Sequence, residues 1–140
     1  MKQVRGYIFS RPFMGERVPQ HIQNLVIRDY CQKNNLKYLL SLTEYAMPGC
    51  QLILNQAIKE LNNLDGIVAY SLFQLPELKT ERELIIKIML DSAKTFHFAV
   101  EGLQIANKSE HQRIESLWQI RQTIPLCLQP TQLDIDALPD

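Results

Sequence analysis

Short β-type runs alternate with stretches of helical period four times along this chain, and few architectures accommodate that order. "VRGYIFS", 4–10, is a β-type run ended by Arg11 and Pro12. From Pro19 the period becomes helical, with Ile22, Leu25, Val26 and Tyr30 on one face and Asn34 and Asn35 at the end. "KYLLSL", 37–42, is the second strand, and "MPGC" leads into a helix from about Cys50 to Asn62. Ile53, Leu54, Ala57, Ile58 and Leu61 give that helix an i, i+3, i+4 stripe. The third strand, 66–71, lies in "DGIVAYSLFQLP".

Thr80 and Glu83 then carry a capping-box signature, with Leu84, Ile85, Ile88 and Met89 as the buried stripe behind it. "FHFAVEG", 96–102, is the fourth strand. Ser109 and Gln112 repeat the capping pattern before a helix bearing Ile114, Leu117, Trp118 and Arg121, which Pro125 is expected to stop. Strand–helix repetition requires crossover connections. The expected fold is therefore α/β: a small doubly wound, mostly parallel four-stranded sheet with helices on both faces. One domain spans residues 1–126, and the proline-rich 127–140 reads as an irregular C-terminal tail.

Fifteen basic and fifteen acidic residues cancel, so no net field draws the protein to DNA, RNA or an anionic membrane. Neither a nucleic-acid nor a membrane partner is expected. No apolar run approaches the ~20 residues that cross a bilayer, and the apolar Tyr7–Phe9 run is broken at once by Arg11 and Pro12. Cys31, Cys50 and Cys127 are odd in number and lack ligand spacing, which fits free thiols in a reducing cytoplasm. His21 and His111 have no partners at metal spacing, and no glycine-rich phosphate loop is present. No metal and no cofactor is implied.

Three stretches carry a resemblance. "RGYIFS", "PGCQLILNQAIKELNNLDGIVAYSLFQL" and "ELIIKIMLDSAKTFHFAVEG" resemble, in order and spacing, the strands and helices of the serine recombinase (resolvase and invertase) catalytic domain. The resemblance covers about residues 4–102 and implies that fold. The family's first strand carries an arginine and then the nucleophilic serine. The matching positions here are Phe9 and Arg11, and a one-residue shift would bring Ser10 onto the serine. Where the family has an Asp-Arg pair and a further arginine after the third strand, this chain has Phe73, Gln74 and Glu77. Guanidinium groups balance the charge of a scissile phosphate, and an amide with a carboxylate does the reverse. DNA recombination is therefore not expected.

The whole length, including "YIFSRPF", "TEYAMPGC", "YSLFQLP" and "FAVEGL", is also similar to a small bacterial family found sporadically in carbohydrate biosynthesis clusters. That resemblance implies a part in making surface polysaccharide, lipopolysaccharide or an unusual sugar.

In a parallel sheet, ligands bind beyond the carboxyl ends of the strands. The residues following the strands are Ser10, Arg11, Glu16 and Arg17, then Thr43, Glu44 and Tyr45, then Tyr70, Ser71 and Gln74, then Glu101. Ser10, Arg11, Arg17, Glu44, Tyr45, Ser71, Gln74 and Glu101 are the ligand-binding candidates. Arg11 and Arg17 suit a phosphate or carboxylate, and Glu44 or Glu101 suits a general base or sugar hydroxyls. Each also has a plainer role open to it: strand-end backbone bonding for Ser10, solvated charge for Arg17, a rim ion pair for Glu101. His97 between Phe96 and Phe98 reads as structural, and Cys50 at a helix start is either a reactive thiol or a packing residue.

Two functions follow. One is a cytoplasmic protein of carbohydrate biosynthesis that holds a sugar or nucleotide-sugar in one pocket lined by Arg11, Arg17, Glu44, Ser71, Gln74 and Glu101. The other is a recombinase-derived interaction module, a homo-dimer joined through the last helix around Trp118, Ile120 and Arg121. The polar side chains gathered after the strands favour the first.

Overall fold

The computed structural model describes residues 1–13, 17–47 and 51–137, with side chains described as far as residue 123. Its strands are β1 (Lys2–Phe9), β2 (Leu36–Glu44), β3 (Gly66–Ala69), β4 (Thr95–Phe98) and β5 (Leu103–Ile105). Its helices are α1 (Gln20–Lys33), α2 (Leu52–Lys59), α3 (Lys79–Asp91) and α4 (Lys108–Ala137). The strands form one five-stranded sheet in the order β2-β1-β3-β4-β5. All neighbours are parallel except β4 and β5, which form a hairpin. The segment expected as one strand over 96–102 breaks into a turn after Phe98, and Gly102 takes a φ of 65° before the chain returns as β5. That return supplies the fifth strand.

Alternation along β1 divides the core. Tyr7 and Phe9 face one side, where Leu54 and Ala57 of α2, Ile85, Ile86 and Met89 of α3, and Ile114 and Trp118 of α4 pack together. Val4 and Ile8 face the other side, covered by Ile27 and Cys31 of α1. Three helices thus lie on one face and one on the other.

Two helices are turned from their expected faces. In α1 the buried residues are Gln23, Ile27 and Cys31, whereas Leu25 is 57% exposed. In α3 Arg82 is buried with Ile85, Ile86 and Met89, and Leu84 is 60% exposed. In both cases a long polar side chain with ready hydrogen-bond partners displaces an apolar one from the core-facing line. Arg82 grips Glu115 with Nε (2.9 Å) and Nη2 (3.0 Å), and its Cζ lies 4.2 Å from the Trp118 ring centroid. Trp118, fully buried, donates from Nε1 to the Leu72 carbonyl at 3.1 Å. Trp118 is therefore core, and the expected dimer patch on the last helix is reduced to Ile120, which is exposed.

The caps differ as well. Thr80 lies inside α3, whose N-cap position is Leu78. At α4 the capping pair is Asn107, which accepts from the Glu110 N–H at 2.9 Å, with Glu110 reaching back to the Ala106 N–H at 2.8 Å. Ser109 and Gln112 sit within the helix that pair starts. α4 does not stop at Pro125: its backbone is helical to Ala137, so most of the expected irregular tail is helical. A proline inside a helix removes one hydrogen bond, at about 3 kcal/mol, and the flanking turns can carry that.

Candidate functional site

Each strand of the parallel set ends in a polar side chain, and those side chains turn inward. At the end of β2, Glu44 is fully buried. Its Oε2 accepts from the Tyr7 hydroxyl (2.8 Å) and the Leu54 N–H (2.9 Å), and Oε1 accepts from the Ile53 N–H (3.0 Å). The carboxylate thus caps α2, where free N–H groups and the helix dipole favour negative charge.

At the end of β1, Ser10 donates to the Glu44 carbonyl at 2.7 Å. The Arg11 guanidinium donates to the Tyr45 carbonyl at 2.8 Å and lies 4.1 Å from the Phe9 ring centroid. Tyr45 itself is exposed, as is Arg17. Glu16 and Cys50 lie outside the described residues.

Beyond β3, "YSLFQLP" forms a turn held by a capping box. Ser71 Oγ accepts from the Phe73 N–H (3.2 Å), and Gln74 Oε1 accepts from the Ser71 N–H (3.4 Å) and also from the Tyr70 N–H (3.1 Å). Ser71 Oγ also donates to Glu101 Oε2 at 2.7 Å, while Glu101 Oε1 accepts the Leu72 N–H at 3.0 Å. Glu101 therefore ties the β4–β5 turn to the turn after β3.

Gln23, which carried no signal in the sequence, completes this set. Its Oε1 accepts from the Phe9 N–H (3.0 Å) and from Gln74 Nε2 (2.8 Å). Its Nε2 donates to the carbonyls of Phe9 (2.9 Å) and Val18 (2.8 Å). All four hydrogen-bonding positions of this amide are filled. A buried Gln on a helix facing a strand end is ordinarily read as solvent-exposed, which is why periodicity misses it.

Seven of the eight candidates take part in hydrogen bonds within the protein: Ser10 and Glu44 beside α2, Arg11 with the Tyr45 carbonyl, and Ser71, Glu101 and Gln74 in one set that reaches Gln23, while Arg17 lies exposed. Arg11 lines a cleft of about 280 Å³ at the carboxyl ends of β1 and β3. Its other walls include Phe9, Phe13, Phe73, Gln51, Glu77 and Glu81, so two carboxylates stand against one guanidinium. A phosphodiester would meet net repulsion there.

At the opposite edge of the sheet, His97 is 7% exposed on the α1 side of β4. Its Nδ1 lies 2.7 Å from the Tyr30 hydroxyl. Burial, helped by the nearby Lys2 charge, lowers the His97 pKa to about 4, and burial raises that of Tyr30 to about 12. The expectation of a structural histidine agrees with this packing. Burial likewise raises the Cys31 thiol to about 11, which keeps it protonated and unreactive at neutral pH. No helix among the described residues is long and apolar enough to cross a membrane.

The structure is similar to the N-terminal catalytic domain of TP901-1 integrase, with a TM-score of 0.60 and 14% identity over 89% of this chain and 98% of that one. It is likewise similar to a resolvase family site-specific recombinase from Streptococcus pneumoniae, with a TM-score of 0.60 and 10% identity over 98% and 99% of the two chains. At such identities the likeness is one of fold. No protein-family model matches the sequence, and no curated protein does.

Proposed function

We propose that this chain is a non-catalytic binding module on the recombinase catalytic fold, acting by association between copies. One observation carries the reading. Glu44, Ser71, Gln74 and Glu101, at the strand ends where chemistry on such a fold would sit, are hydrogen-bonded within the protein itself. Groups so engaged hold the loops in place and have little left with which to bind or activate a phosphate.

Association is favoured by the apolar side chains exposed on α2 and α3. Leu52 on α2 and Leu84 and Ile88 on α3 are exposed, with Leu78 beside them. A two-fold pairing sets this patch against its own copy and buries both at once. Sedimentation of the wild type and of Leu84→Glu tests this. A dimer in the micromolar range that becomes a folded monomer on Leu84→Glu is expected. A wild type that stays monomeric throughout sinks the reading.

A second reading has its own observation. Three aromatic side chains, two carboxylates and an amide line the 280 Å³ cleft. Aromatic faces and carboxylates are what a sugar ring uses, through its C–H face and its hydroxyls. This supports a cytoplasmic role in carbohydrate or polysaccharide biosynthesis, with a neutral sugar preferred over a nucleotide-sugar because of Glu77 and Glu81. A sugar-induced thermal shift lost on Glu81→Gln, in a protein that does not self-associate, would replace the first reading with this one.

A further inference from the structure

The amino edge of the sheet holds a cavity of about 720 Å³ that neither reading above uses. It is lined by Lys2 at the start of β1, Asn35 before β2, Asp65 before β3, His97 on β4 and Gln104 on β5. His97 and Gln104 are paired across the β4–β5 hairpin, so both stand on the same face of the sheet. This is the face that α1 alone covers. Asn35, with a φ of 55°, turns the chain sharply from α1 into β2 at the cavity's rim.

The Tyr30 contact bears on which nitrogen of the imidazole carries the hydrogen. Among the described residues the Tyr30 hydroxyl has one hydrogen-bond partner, His97 Nδ1 at 2.7 Å. Donation of the phenolic proton to Nδ1 gives that proton its acceptor and puts the ring hydrogen on Nε2. The neutral states that burial imposes on both groups agree with this arrangement. Nε2–H has no hydrogen-bond partner among the described residues, and Lys2 lies near enough to act on the ring electrostatically.

We propose that this cavity is a second binding site, for a small carboxylate-bearing molecule held by His97 Nε2–H and the Lys2 ammonium. A fixed N–H donor beside a cation matches a carboxylate's two oxygens. Asp65 stands on the same wall, with Oδ2 engaged by the Gln3 N–H at 2.7 Å, and its charge selects a monoanion over the more highly charged phosphate. The charged and titratable groups around the imidazole include Lys2, the Met1 amino group, Asp65 and Tyr30, with Cys31 next to Tyr30.

Imidazole ¹⁵N–¹H spectra of the protein test this, recorded alone and during titration with propionate or inorganic phosphate. The free protein should show the Nε2–H tautomer at His97. Propionate should move the His97 resonances saturably, more tightly than phosphate, and raise the pH at which His97 protonates. Lys2→Gln, an exposed position, should weaken propionate by about tenfold, the loss of one charge-assisted hydrogen bond. The Nδ1–H tautomer, or a His97 signal unmoved by propionate, would overturn the site. Equal affinity in Lys2→Gln would overturn it too, and tighter binding of phosphate would overturn the choice of a carboxylate.

Discussion

The two edges of the sheet have opposite polar economies. At the carboxyl edge Glu44, Ser71, Gln74, Glu101 and Gln23 bond to one another and to backbone, leaving a cleft of about 280 Å³ around Arg11. At the amino edge a cavity of about 720 Å³ is lined by His97, whose Nε2 has no hydrogen-bond partner among the described residues. A rule of topology places ligands at the first edge. That rule predicts where loops converge, but availability for binding depends on how many donors and acceptors remain free once the loops are folded. The contrast implies that substitutions at the carboxyl edge act on stability, whereas those at the amino edge act on titration and binding.

The strongest way to break that contrast is Gln23→Leu. It strands the Phe9 N–H, the Phe9 and Val18 carbonyls and Gln74 Nε2 in the interior. At about 1–3 kcal/mol for each unsatisfied buried group, partly relieved by relaxation, a loss of about 4 kcal/mol in chemical denaturation is expected. A loss below about 1 kcal/mol would show that the carboxyl edge is not held together by this amide.

The amino edge should answer to pH. His97 has a folded pKa of about 4 against an ordinary 6.5, so between those values the unfolded chain binds the proton that the folded chain refuses. This contribution is fully present above 6.5, declines as pH falls towards 4, and totals about 3 kcal/mol at 1.36 kcal/mol per unit. Denaturation curves from pH 7 to pH 4 should show the decline, and His97→Gln should flatten it. An unchanged slope in that variant would assign the effect to carboxylates elsewhere.

The smallest expected effect sharpens the picture at the carboxyl edge. Ser71 and Glu101 meet at 2.7 Å across the turns after β3 and β4. A double-mutant cycle with Ser71→Ala and Glu101→Gln should give a coupling of about 1 kcal/mol in stability. Zero coupling would free Glu101 for a ligand and weaken the contrast.

The order of elements was readable in the sequence because four β-type runs and four helical stripes are hard to arrange otherwise. Leu54 and Ala57 of α2 are buried as their spacing requires, and Leu61, beyond the end of α2 in a 3-10 turn, is buried with them. Periodicity failed where a polar residue took a core position. Gln23 and Arg82 are residue types seldom found inside, and their burial turns α1 and α3 so that Leu25 and Leu84 face water. The candidate residues were placed after the right strands, since that follows from topology. Their inward turn was not readable, because it depends on which backbone groups other segments bring near. Glu44 shows this best: its partners at Ile53 and Leu54 belong to the start of the next helix.

The position of β1 between β2 and β3 has a consequence for how the protein comes into being. β1, flanked on both sides in the finished sheet, is synthesised before either of its neighbours. Until Gly66–Ala69 has been made, one side of β1 has no strand to pair with. The sheet therefore closes late, through parallel pairings of long sequence separation, which form slowly. On a ribosome adding about 5–20 residues per second, β1 waits for several seconds as an apolar segment with open hydrogen-bonding edges. Its tolerance of that wait, more than the stability of the finished sheet, would then set how much of the chain reaches the native state.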